Sequence, residues 1–135
     1  MVDIETDIYE LVSNAVLAVE PECFTSSVYS TLPAQFPACS IQEVSNLTDE
    51  FTLDSSGEEN SSKVVFRVDC YSNLRTGART QAKKMAKAAD DVLIAMNFKR
   101  TYYAKEYNPA DSTVYTINMR YSAVVTKDKT LAWTR

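Results

Sequence analysis

The sequence contains no histidine, two glycines in 135 residues, and no apolar run near the roughly 18 residues that a membrane-spanning helix requires. Without histidine, general acid–base chemistry near neutral pH falls to a tuned carboxylate, lysine or tyrosine, and no pair of these stands apart from its surroundings. No catalytic residue is therefore assigned, and the chain is not expected to be an enzyme. Gly57 and Gly77 stand alone and cannot form a glycine-rich phosphate loop, so no cofactor is expected. The first ten residues, MVDIETDIYE, are acidic where a secretion signal is basic and then apolar, which predicts a soluble, intracellular protein with no membrane contact. The glycosylation patterns at Asn46-Leu47-Thr48 and Asn60-Ser61-Ser62 are then accidental.

Cysteine is scarce too. Cys23, Cys39 and Cys70 are odd in number, far apart in sequence and lack any Cys-x-x-Cys pairing, which argues against a disulfide framework or a zinc site. They are expected to be buried free thiols, and no metal ligand is assigned. Cys70 falls on the apolar side of a strand, where a thiol is inert rather than nucleophilic. The net charge of −4 opposes a duty of gripping nucleic acid by its phosphates, which needs clustered Lys and Arg.

What is present is one long periodic stretch, Thr76 to Asn97. Ala78, Ala82, Met85, Ala89, Val92 and Met96 step by four and three, one stripe of a 3.6-residue helix that Leu93 widens. Thr76 is positioned to cap its start, and Asn97 tolerates the left-handed backbone that closes a helix, leaving Phe98 to pack back on the last turn. Arg79, Lys83, Lys87 and Asp91 stack on the opposite face, which should see water or a partner. The early stripe is mostly alanine, which lets a helix sit close to a sheet.

The flanking chain supplies that sheet. A first helix over 1–20 starts at Asp3, carries an apolar stripe of Ile4, Ile8, Leu11, Val12, Ala15 and Val19, and is ended by Pro21. Val28-Tyr29 has strand character, as do Ala38 to Asn46 and Glu50 to Leu53. Residues 54–62, DSSGEENSS, have no apolar side chain and read as a mobile solvated loop, with Asp54, Glu58 and Glu59 as candidate interface residues. In Lys63 to Ser72, Val64, Phe66, Val68 and Cys70 point one way and Val65, Arg67, Asp69 and Tyr71 the other. Residues 99–126 read as a β-hairpin, Lys99 to Tyr107 and Thr113 to Thr126, in which Tyr115, Ile117, Met119, Tyr121, Ala123 and Val125 form the apolar face under the central helix. Trp133 is either tucked back on the core or offered to a partner. The eight tyrosines suit strands and protein interfaces better than base stacking, because nothing basic interleaves them densely.

The element order predicts a single α+β domain over 1–135, with an antiparallel or mixed sheet and helices on one face. From Phe36 onward, the runs FPACSIQEVSN, VVFRVDCYSN, VLIAMNFKRT and TVYTINMRYSAVVTKDKT resemble the small tail-completion, or tail-terminator, proteins of tailed phages and prophages. Residues 1–35 share with them only an opening helix. The resemblance implies no reaction. It implies a ring homo-oligomer, a hexamer, in the virion neck. That ring caps the tail tube protein, ends tube polymerisation, meets the head connector and lets DNA pass through its lumen without specific binding. The candidate interface is then Arg79, Lys83, Lys87, Asp54, Glu58, Glu59 and Trp133. A head-completion or neck connector protein, and a monomeric small-molecule-binding α+β domain, are the two alternatives that the composition also allows.

Overall fold

The computed structural model describes residues 4–27, 33, 35–48, 61–108, 111–126 and 131–132. These described residues form two helices and six strands in the order α1 (Glu5–Val19), β1 (Phe24–Ser26), β2 (Ala38–Thr48), β3 (Ser61–Ser72), α2 (Ala78–Ala95), β4 (Lys99–Tyr107), β5 (Tyr115–Thr126) and β6 (Leu131–Ala132).

Strand β3 lies at the centre because it buries side chains on both faces. Val64, Phe66, Val68 and Cys70 are fully buried toward the helices, while Asp69 and Tyr71 are buried on the other side. It pairs antiparallel with β2 and with β5, and the strand order β1-β2-β3-β5-β4 leaves β1 and β4 at opposite edges. Among the described residues only β1 runs parallel to its neighbour, so the sheet is mixed. One-residue irregularities in β2 between Glu43 and Ser45, and in β4 between Arg100 and Tyr102, bend the ladder and add twist. β6 pairs with the end of β5.

Both helices cover the same face. Ile4, Ile8, Val12 and Val16 of the α1 region and Ala82, Met85, Ala86, Ala89 and Leu93 of α2 join Cys39, Ile41, the inward row of β3 and the whole expected apolar face of β5 in one core. The α+β reading with helices packed on one face of the sheet is what the structure has. Phe98 completes the core, edge-on to Phe66 with ring centroids 5.8 Å apart.

Several local expectations change. The first helix is Glu5–Val19 rather than 1–20, and its stripe runs at strict four-residue steps, so Val16 is buried where Leu11, 47% exposed, was expected. The central helix is Ala78–Ala95 rather than 76–97. Its cap is Gly77 in the left-handed region (φ +88°) rather than Thr76, with no side-chain cap hydrogen bond. Open space surrounds a Cβ placed at Gly77, so backbone conformation and not crowding selects glycine there. The other end closes as expected. Asn97 has φ +67°, its N–H reaches Ile94 O, and Phe98 N–H reaches Leu93 O, a Schellman arrangement. Residues 61 and 62 of the expected loop belong to β3. Residues 54–60, Val28-Tyr29, Glu50 to Leu53 and Trp133 lie outside the described residues.

All three cysteines are buried and free, yet they are neighbours in space: Cys39 and Cys70 face each other across β2 and β3 with their sulfurs 3.8 Å apart. Burial pushes the Cys23 thiol up to about 12, and the contact with Cys70 together with burial holds Cys39 well above the ordinary thiol range. Such thiols stay protonated and inert.

Candidate functional site

The side of α2 turned from the core lies beside β4, and between them runs a groove. Helical spacing brings Arg79, Lys83 and Lys87 out in a row, all exposed. Strand alternation aims Tyr103, Lys105 and Tyr107 to one side of the sheet, and the irregularity between Arg100 and Tyr102 brings Arg100 to that side too, so the four lie opposite Met119, Ile117, Tyr115 and Tyr121 of the inward row. Almost every side chain of β4 is exposed, on both of its faces.

Aromatic rings carry the cations. The Arg79 guanidinium stands 5.8 Å from the Tyr107 ring centroid and 5.7 Å from that of Tyr115, and the two rings meet edge-on at 5.3 Å. Arg100 stands 5.6 Å from the Tyr103 ring. These distances are within cation–π range and fix otherwise floppy side chains in place. The groove holds one cleft of about 230 Å³ lined by Lys83, Lys87, Asp90, Arg100, Tyr103 and Met119, and a second of about 420 Å³ that includes Arg79, Lys105 and Tyr107.

Asp90 anchors the groove floor. Its Oδ1 accepts from the Tyr121 hydroxyl at 2.6 Å and from Arg100 Nη1 at 3.0 Å, tying α2 to β5 and β4 at once. Burial, and then the bond to Asp90, keep the Tyr121 phenol far above its ordinary range, and the same carboxylate raises Arg100. Tyr121 is thus a neutral donor and Arg100 a fixed cation at neutral pH.

The opposite sheet face has a second charged group. Asp69 is fully buried with Arg67 Nε 2.8 Å from its Oδ2. At that distance the two form a charge-assisted ion pair, which is the contact that offsets part of the cost of burying the carboxylate. Burial, only partly offset by Arg67 and Arg120, raises the Asp69 carboxyl to about 6. Arg120 is paired in register with Arg67 and stands 5.8 Å from the Tyr102 ring.

Of the seven residues expected at an interface, Arg79, Lys83 and Lys87 are brought together on one exposed face. Asp54, Glu58, Glu59 and Trp133 lie outside the described residues. Sequence reasoning missed Arg100, Lys105, Asp90 and Tyr103. Alternation in KRTYYAKEY signalled that Tyr103, Lys105 and Tyr107 share a face, whereas Arg100 joins them only through the irregularity between Arg100 and Tyr102, which the sequence does not announce. No group of three or more Cys, Asp and Glu suited to a metal occurs among the described residues, and no helix there is long and apolar enough to cross a membrane.

No family model matches the sequence, and no curated protein matches it. In structure, the chain is similar to a chain of the solved virion of a native gene transfer agent (GTA) particle. The TM-score is 0.60 at 13% identity, over 87% of this chain and 93% of that chain. At that identity the likeness establishes a shared fold along nearly the whole length of both.

Proposed function

We propose that this chain is a structural virion protein of a phage-like particle, not an enzyme, and that it caps the tail tube as a closed ring, ending tube polymerisation and joining the tail to the head connector. The observation that carries the reading is the fold match to a chain of a virion particle over 87% of this chain. The motif resemblance to tail-terminator proteins narrows it from virion component to tail end.

The surface supports an assembly role. A strand with both faces exposed, carrying Tyr102, Tyr103 and Tyr107 at 42–51% exposure, sits beside a row of ring-supported cations. Tyrosine and arginine in that setting suit contact with another protein surface. A net charge of −4 suits a lumen that lets DNA pass without holding it.

Deleting the gene tests the reading. The expected product is full heads beside unattached tails of irregular, excessive length, because nothing ends polymerisation. Tails of normal length with heads that leak DNA would instead assign the chain to the head side of the neck and overturn the tail-end role. Normal infectious particles would overturn the virion role altogether.

A further inference from the structure

Charge is split along this chain to an unusual degree. Residues 1–62 contain twelve Asp and Glu and no Lys or Arg; residues 63–135 contain all fourteen Lys and Arg and six Asp and Glu, so a net −12 block is followed by a net +8 block. Among the described residues, the fold sets elements of the two blocks on opposite sides. α1, β1 and β2 come from the acidic block, with α1 lying over β2; α2, β4 and β5 come from the basic block, with α2 over β3, β5 and β4. Because β1 and β4 are the two edges of the main strand order, the poles face outward in opposite directions.

The basic pole is the groove between α2 and β4, with Arg79, Lys83, Lys87, Arg100 and Lys105 along it. The carboxylates there are Asp90, already held by Tyr121 and Arg100, Glu106, and the exposed Asp91 that ends the row of Arg79, Lys83 and Lys87, so the pole remains net basic. The acidic pole is the α1–β1 side, where Glu10 and Glu22 are exposed together with Leu11 (47%) and Phe24 (40%). The attraction between blocks is already used inside the subunit, where Lys84 of α2 pairs with Glu20 after α1 at 3.3 Å.

A body with opposite charge at opposite ends does not pair with itself by a two-fold axis through either pole, since like would meet like. It associates head to tail, and a repeated head-to-tail contact closes into a ring when its rotation permits. We propose that the α2–β4 groove is the docking site for the acidic α1–β1 side of a second copy of this chain. This rests on the ring reading and names its contact. The exposed tyrosines of the groove and the exposed Leu11 and Phe24 of the opposite pole supply the apolar part that charge alone lacks.

The test uses the full chain and two charge-reversed forms, Lys83→Glu with Lys87→Glu, and Glu10→Lys with Glu22→Lys. All four positions are exposed, and circular dichroism melting near the wild-type temperature confirms folding. In sedimentation velocity, the wild type should associate in dilute salt and dissociate as salt rises to about 0.5 M, where screening is short-ranged. Each reversed form alone should bind itself about tenfold or more weakly. An equal mixture of the two should regain the assembly, because each acidic surface again meets a basic one. A wild type that stays monomeric in dilute salt overturns the proposal. So do folded variants that associate as the wild type does, and a mixture that gains nothing over its components. Folded variants that still build a normal collar in particles would remove this contact and leave the tail-end role standing.

Discussion

Asp69 sits fully buried on the sheet face turned from the helices, and burial raises its carboxyl from about 3.8 to about 6. The folded state therefore binds this proton more tightly than the unfolded chain. The stabilisation is fully present below pH 3.8 and is lost as pH climbs to about 6, a change of about 3 kcal/mol from this group. Asp69→Asn removes the titration. Denaturant unfolding at pH 4 and pH 7 should show the variant gaining on the wild type by about 2–3 kcal/mol between the two. A parallel pH dependence in both proteins would mean that Arg67 already neutralises the carboxylate. The sequence made the outward direction of Asp69 legible through the alternation of KVVFRVDCYS, but not its burial. That depends on contacts distant in sequence, such as Phe36 and Val114 packing with Ala38 against the neighbouring Tyr71.

At the scale of elements, α2 was legible in its existence, its closing turn and its exposed cations, because period and left-handed asparagine are local properties. Its orientation was less so. The buried row is Ala82, Met85, Ala86, Ala89 and Leu93, with Val92 only partly buried, since contact with α1 as well as the sheet rotates the apolar stripe. Met85→Asp should thus unfold the domain by placing an unpaired charge in the core, at a cost of several kcal/mol. Val92→Asp should cost clearly less, and Lys83→Ala should leave the melting temperature within experimental error. Thermal denaturation of the three variants checks the ranking, and equal losses at Met85 and Val92 would contradict the packing seen here. The start of α2 was misread because Thr76 has the chemistry of a cap, while Gly77 adopts the geometry that turns β3 into the helix. The short β1 was missed because three residues give too little alternation to detect.

At the scale of the molecule, layer order and face assignment follow from pattern, and so the fold class was open to reading. The groove was half legible. Arg79, Lys83 and Lys87 share a face by helical spacing alone, whereas Arg100 and Lys105 join them only because β5 carries β4 alongside α2. Assembly is a property of two copies, and no single-chain pattern sets a ring's order. The proposed role is a place in a particle, and cryo-electron microscopy of particles from the strain encoding this chain measures it directly. The expected result is a closed ring at the head-proximal end of the tail tube, each subunit showing the mixed sheet with both helices on one face and its α2–β4 groove against the next subunit. A tube end built wholly of other folds, or this fold found only in the head shell or the distal tail tip, would contradict it.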